Sequence, residues 1–144
     1  MTTIRPVVAS DEAAWRRLWA GYIAFQQGTV APGVTDHTWL RLLDGRLIGR
    51  VAVRYGAVCG FTVSLLHEGT WAMTPYCYLE DLFVDGSVRG QGIGRALIQD
   101  LIGLGHDRSW SRVYWHTRSG NSTARALYDR FVSCDGDVRY RIEL

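Results

Sequence analysis

The chain has 144 residues, 47% hydrophobic and 21% charged. That fits one globular domain spanning residues 1–144 and excludes a disordered chain. The basic residues, 16 against 14 acidic ones, leave a net charge of +2, too small to argue for a nucleic-acid partner.

Residues 3–8 (TIRPVV) read as a short strand, placed near a sheet edge by Pro6. Ser10 or Asp11 suits the cap of a helix whose face is Trp15, Leu18, Trp19 and Tyr22. Thr35 or Asp36 suits the cap of a second helix carrying Trp39, Leu40 and Leu43. From Arg46 the period changes to that of strands, RLIGRVAVRY and AVCGFTVSLLHE, with a hairpin at Tyr55-Gly56. YCYLEDLFV (76–84) is a further strand, and residues 92–105 form a helix striped by Ile93, Leu97, Leu101 and Leu104, with Gly105 as its stop. RVYWHT (112–117) reads as a strand, Asn121 to Phe131 as a short helix, and VRYRIEL (138–144) as a closing strand. The order is β-α-α-β-β-β-α-β-α-β, a mixed α/β sheet flanked by helices.

No apolar run reaches the ~18 residues that span a bilayer. The N-terminus has no basic-then-apolar signal pattern, so the expectation is a cytoplasmic protein without a membrane partner. Cys59, Cys77 and Cys134 show no CxxC or Cys/His spacing, and no pair among His37, His67, His106 and His116 has metal-ligand spacing, so no metal is expected. The cysteines read as reduced thiols. For Cys77 a nucleophilic role stands against the favoured reading of a small buried residue.

Between the strand at 76–84 and the helix that follows lies Arg89-Gly90-Gln91-Gly92-Ile93-Gly94-Arg95. The dinucleotide fingerprint GxGxxG fails here, because Arg95 or Leu97 stands where its third glycine belongs, and no phosphate-loop Lys-Ser/Thr occurs. The physics still suits an anion. Glycine lets a ligand approach the backbone. The first N–H groups of a helix have no internal partners and carry the positive end of its dipole.

YLEDLFVDGSVRGQGIGRALI followed by NSTARALY resembles the cofactor motif and the second motif of the GCN-five-related N-acetyltransferase (GNAT) superfamily. YLEDLFV is most similar to the spermidine/spermine, diamine/thialysine and Hpa-type enzymes. The resemblance covers essentially the whole chain. It implies acetyl-CoA as co-substrate and a small primary amine as acceptor, a polyamine, diamine or lysine-like compound. By the same resemblance, Leu82, Phe83 and Val84 offer backbone groups to the pantetheine arm. Arg89, Gly90, Gln91, Gly92, Ile93, Gly94 and Arg95 cradle the diphosphate, and Asn121 and Ala124 flank the arm. Tyr128 is the general acid for the departing thiolate. Glu80 is base, water relay or anchor of the amine. A homodimer, paired through late strands, is also implied. Tyr128 is followed by DRFVSCDGD instead of the usual Y-x-x-x-G-F, and the loop AFQQGTVAPGV matches no substrate signature, so the acceptor stays open.

The chemistry bears on these roles. A lysine-like amine has a pKa near ~10.4 and a glutamate near ~4.3, so Glu80 acts more naturally through water or as an anchor than as a direct base. Tyrosine (~10) to a thiolate (~8.5) is a mildly uphill proton transfer, and a strand-edge N–H near Phe83 is placed to hold the oxyanion. Strict alternation puts Tyr78, Glu80 and Leu82 on one face and Leu79, Asp81 and Phe83 on the other, unless a bulge intervenes. Glu80, Asp81, Trp115 and His116 are the candidate acceptor contacts, and Trp71, Tyr76 and Trp115 a candidate aromatic wall for a cation. A salt bridge for Glu80, a core tyrosine at Tyr128 and a surface histidine at His116 are the plainer alternatives. Asn121 and Tyr128, seven apart, share a helix face, which favours function for Tyr128. Against the small-amine N-acetyltransferase stand a protein or peptide lysine acetyltransferase and a non-catalytic acyl-CoA sensor on the same fold.

Overall fold

A computed structural model describes residues 1–144. Strands β1 (Thr2–Pro6), β2 (Ile48–Arg54), β3 (Ala57–His67), β4 (Tyr76–Val84) and β5 (Arg112–Tyr114) lie in chain order across one sheet. All neighbours are antiparallel except β4 and β5, which are parallel. Helices α1 (Glu12–Phe25) and α2 (Val34–Leu43) follow β1, α3 (Ile93–Arg108) crosses over from β4 to β5, and α4 (Ser122–Tyr128) follows β5. No helix is long and apolar enough to cross a membrane.

The apolar spacing of α1 buries Trp15, Leu18 and Trp19, which meet Trp39 and Leu42 of α2 over Val51, Phe61 and Val63 of the sheet. Trp15 stacks on Trp19 at 5.2 Å and tilts against Trp39 at 5.3 Å between ring centroids, so much of the tryptophan content is core. The opposite sheet face takes α3, whose Ile93, Leu97, Ile98 and Leu101 pack on Ala52, Cys59 and Leu79. Arg50 of β2 reaches Asp100 of α3 with two bonds of 2.8 Å, a bidentate pair that fixes the helix on the sheet. Tyr55 (φ 51°) and Gly56 (φ 76°) close the β2–β3 hairpin, where a two-residue turn of this hand requires positive φ at both positions.

Several boundaries differ from the sequence reading. The second helix starts behind Gly33 (φ 87°) at Val34. Thr35 and Asp36 do not cap it, because the Trp19 indole N–H donates to the Thr35 hydroxyl at 3.1 Å and Asp36 pairs with Arg16 at 2.8 Å. Helix α3 runs through Gly105 to Arg108, since a side chain at Gly105 would lie 3.2 Å from Trp110, and the glycine serves close approach, not termination. Strand β5 has three residues instead of six, and α4 ends at Tyr128.

The closing strand is absent: residues 132–144 form neither helix nor strand. The apolar alternation is there, but a strand needs a ladder partner, and no strand of this chain supplies one.

Candidate active site

The site begins with one extra residue. Across β3 and β4 the register runs Val63 to Asp81 and then Ser64 to Leu79, so Glu80 is unpaired and β4 bulges there. A bulge turns its strand away from regular pleating. On the other side, β4 pairs with β5 only from Tyr76 to Tyr78. From Leu79 to Val84 it has no β5 partner, which opens a split in the sheet. Leu82, Phe83 and Val84 thus stand at a strand edge that β5 does not cover, where the Val84 carbonyl already accepts from Arg89.

The bulge also settles the faces. Leu79 and Leu82 both pack toward α3. Phe83 and Asp81 face α1, where Phe83 meets Tyr22 at 6.0 Å and the Tyr22 hydroxyl acts to lower the Asp81 pKa. Glu80 is exposed on this same side, its charge acting on Tyr22, Tyr78 and Asp81. Strict alternation is therefore corrected: Glu80 and Asp81 share a face.

Beyond β4, the Asp85 carboxylate accepts from Ser87 N–H at 3.0 Å and its hydroxyl at 2.9 Å, and it pairs with Arg17. The backbone donor and the guanidinium hold its pKa down at about 2, a fixed anchor for the loop that follows. Gly90 (φ 75°) and Gly92 (φ 81°) lie in the left-handed region, with open space where a side chain would be. The first helical bond of α3 runs from Ala96 N–H to the Gly92 carbonyl at 3.0 Å, and no side chain caps the helix. The N–H groups of Ile93, Gly94 and Arg95 point out of the helix end. Gly94 acts differently. A side chain there would come within 3.2 Å of Leu127, so its absence lets α3 and α4 meet.

The arginines of this loop part company. Arg95 is exposed on the first turn of α3. Arg89 folds back over Phe83 and Phe25, at 5.2 and 5.4 Å, and its Nε donates to the Val84 carbonyl at 3.1 Å. Gln91 takes the Arg54 guanidinium.

Across the split, the Asn121 side chain accepts from Ala124 N–H at 3.4 Å and so starts α4. Two helical turns on, the Tyr128 ring meets Trp115 edge to face at 5.4 Å, with Leu79 and Phe131 in the same cluster. Burial alone raises the Tyr128 pKa. Trp115 thus stands with Tyr128 and away from the carboxylates. Trp71 is 95% exposed and joins no wall.

The aromatic face next to Glu80 and Asp81 is built from other residues. Tyr78 tilts against Tyr114 at 5.1 Å, His116 Nδ1 lies 3.4 Å from the Tyr78 hydroxyl, and His67 Nε2 bonds the Tyr114 hydroxyl at 2.6 Å. Arg112 covers Tyr76 at 3.9 Å. Tyr22, Tyr78 and Tyr114 escape the sequence reading of the site. The period-two spacing of Tyr76 with Tyr78, and of Tyr114 with His116, is the signal that points to them. Cys77 lies on the far side of β4, fully buried, and burial lifts its thiol to about 11. A thiol so far from ionised is no nucleophile.

The family model for acetyltransferases of the GNAT type matches residues 6–132. The chain belongs to the GNAT acetyltransferase family. It is 30% identical to a D-amino-acid N-acetyltransferase of Saccharomyces cerevisiae over 142 residues, 96% of this chain and 88% of the relative. Among solved structures, it superposes on an aminoglycoside acetyltransferase from an uncultured soil metagenomic sample, with TM-score 0.85, 20% identity, and 99% and 96% of the two chains covered. A ribosomal-protein-alanine N-acetyltransferase of Brucella melitensis biovar Abortus gives TM-score 0.83 at 20% identity, covering 100% and 99%. These two likenesses concern the fold. The chain is thus an acyltransferase, and acetyl-CoA is the co-substrate its family uses. A diphosphate suits the glycine turn: three free N–H groups, a helix N-terminus and no side chain at Gly90 or Gly92.

Proposed function

We propose that this GNAT acetyltransferase moves the acetyl group of acetyl-CoA to a small primary amine, by direct attack in a ternary complex. The observation that carries this reading is the split in the sheet between β4 and β5. Tyr128 stands there on the α3 face with Trp115, while Asp81, Glu80 and the Tyr78–Tyr114–His116 group line the opposite face. The first face suits a thiolate leaving group, the second an ammonium ion.

In this reading the exposed edge at Leu82, Phe83 and Val84 takes the pantetheine amides, and the turn from Gly90 to Arg95 takes the diphosphate. Asn121 and Ala124 border the arm from α4. The N–H near Phe83 stabilises the oxyanion. Holding both reactants in the split supplies rate through orientation. The similarity to the yeast enzyme supports an amino acid as acceptor alongside the diamine and polyamine class. The protein works in the cytoplasm as a homodimer whose contact includes the C-terminal segment.

The test is release of free CoA thiol from acetyl-CoA with D- and L-amino acids, diamines, polyamines, aminoglycosides and a basic peptide. Turnover on one small-amine group is the expected result. Acetyl-CoA binding without release on any of them would favour the sensor reading.

A second measurement checks the diphosphate turn. Gly92→Ala places a side chain at φ 81°, which costs an L-residue about 1–2 kcal/mol, and it fills the space open to the anion. The KM for acetyl-CoA is expected to rise about tenfold, the equivalent of ~1.4 kcal/mol, with kcat little changed. An unchanged KM would remove the turn from the cofactor site.

A further inference from the structure

Every other shielded carboxylate near the sheet has an arginine. Asp11 has Arg5, Asp100 has Arg50 and Asp85 has Arg17. Yet in a chain this rich in arginine, Asp81 and Glu80 form no ion pair. Resting on the acetyltransferase reading above, we infer that Asp81, and not Glu80, accepts the proton of the incoming ammonium, with Tyr22 as the positioning residue that holds the Asp81 carboxyl and Glu80 as the charge that draws the cation in.

The geometry begins with Gly21. A side chain there would come 3.2 Å from the Phe83 ring, so glycine lets α1 approach β4 closely enough for Tyr22 to reach Asp81. The Tyr22 ring is held between Trp19, Phe61 and Phe83 at 5.7, 6.1 and 6.0 Å. The ring therefore has little freedom to move away from β4. The bulge at Glu80 turns both acids to this side. One stays in solvent and the other is shielded. Burial first, and then the charge of Glu80, push Asp81 up to about 6, against the opposing hydrogen bond from Tyr22. The groups facing it are Tyr22 from α1, Glu80 and Tyr78 from β4, and, around Tyr78, His116 and Arg139. From β3 the register partner is the apolar Val63.

The step balances. Asp81 carboxylate takes one proton from the ammonium and later gives it to solvent. The free amine attacks the thioester carbonyl carbon, and the carbon–sulfur bond breaks as Tyr128 protonates sulfur. The phenolate regains a proton from the new amide nitrogen. A base near 6 lies about two units below a peptide α-amine (~8) and about four below a lysine-like amine (~10.4). This favours α-amino acceptors, or amines whose pKa the site lowers.

The experiment is the pH profile of kcat/KM on the best amine of the panel. The wild type is expected to lose activity below about pH 6. Asp81→Asn should abolish that acid limb and lower kcat by about 10²–10⁴-fold, with the KM for acetyl-CoA unchanged. The same variant should melt higher than wild type at pH 7.5. A raised carboxyl binds extra protons in the folded state between its ordinary pKa and about 6, so its stability is lost as pH rises through that window. Glu80→Gln should raise the KM for the amine and move the limb slightly down. Tyr22→Phe removes the bond that lowers Asp81 and should move the limb up, a shift that a purely packing role would not give. An acid limb that survives in Asp81→Asn, or disappears in Glu80→Gln, overturns the assignment. So does a Tyr22→Phe profile that does not move. Failure of the wild type to turn over any amine would instead overturn the function proposed above.

Discussion

Replacing Tyr128 by phenylalanine is expected to lower kcat by about a hundred- to ten-thousand-fold, while leaving the KM for acetyl-CoA within a factor of about two. The ring is what the fold uses: it packs edge to face on Trp115 at 5.4 Å and beside Leu79, and phenylalanine keeps both contacts. Only the hydroxyl is lost. Burial raises its pKa, so it stays protonated at neutral pH and can meet a departing thiolate with a proton in hand. At ~1.36 kcal/mol per tenfold, the loss corresponds to about 3–5 kcal/mol of barrier. CoA thiol release in steady state, with thermal unfolding as a control, checks it. A kcat within about twofold of wild type would return Tyr128 to the role of a core tyrosine.

The elements are legible where one local pattern suffices. Trp15, Leu18 and Trp19 recur at helical spacing, and all three are buried. Tyr55-Gly56 needs positive φ and has it. The glycine turn reads as an anion cradle because missing side chains and free helix N–H groups are local properties. The three glycines still divide into two kinds. Gly90 and Gly92 have left-handed φ, whereas Gly94 makes room for Leu127 of α4, beyond the intervening β5. Pairwise relations between elements are not legible. No propensity marks Glu80 as the extra residue of a bulge, because the bulge exists only relative to the register of β3. Strict alternation therefore misassigns the faces of Glu80 and Asp81. Tyr22 escapes notice as one more apolar position on α1, since its hydroxyl acquires meaning only against Asp81. Trp115 looks like an acceptor contact from its place beside His116, yet it packs on Tyr128 while His116 meets Tyr78. Gly105 and Thr35 mislead in the same way. Each has a plausible local role and serves a tertiary one, against Trp110 and Trp19.

The full chain is expected to dimerise, and ending it after Asp137 to leave a monomer. Val138, Tyr140, Ile142 and Leu144 alternate with Arg139, Arg141 and Glu143. This is the pattern of a strand with one buried face. In the isolated chain those four side chains are 75%, 91%, 85% and 120% exposed. Strand β5 ends the sheet with its outer edge unpaired, so each copy carries both a segment with a strand's alternation and an edge that could accept it. Burying an aliphatic or aromatic side chain contributes about 1.5–3 kcal/mol, or about 6–12 kcal/mol for one tail. Twofold symmetry doubles that gain. The loss of overall freedom and the ordering of both tails oppose that gain. Sedimentation velocity of the full and shortened chains decides the matter, and Ile142→Asp should weaken the dimer without truncation. An untruncated chain that stays monomeric would remove the tail from any contact between copies. Because the Arg139 charge already acts on Tyr78, the shortened chain should also bind the amine with an altered KM.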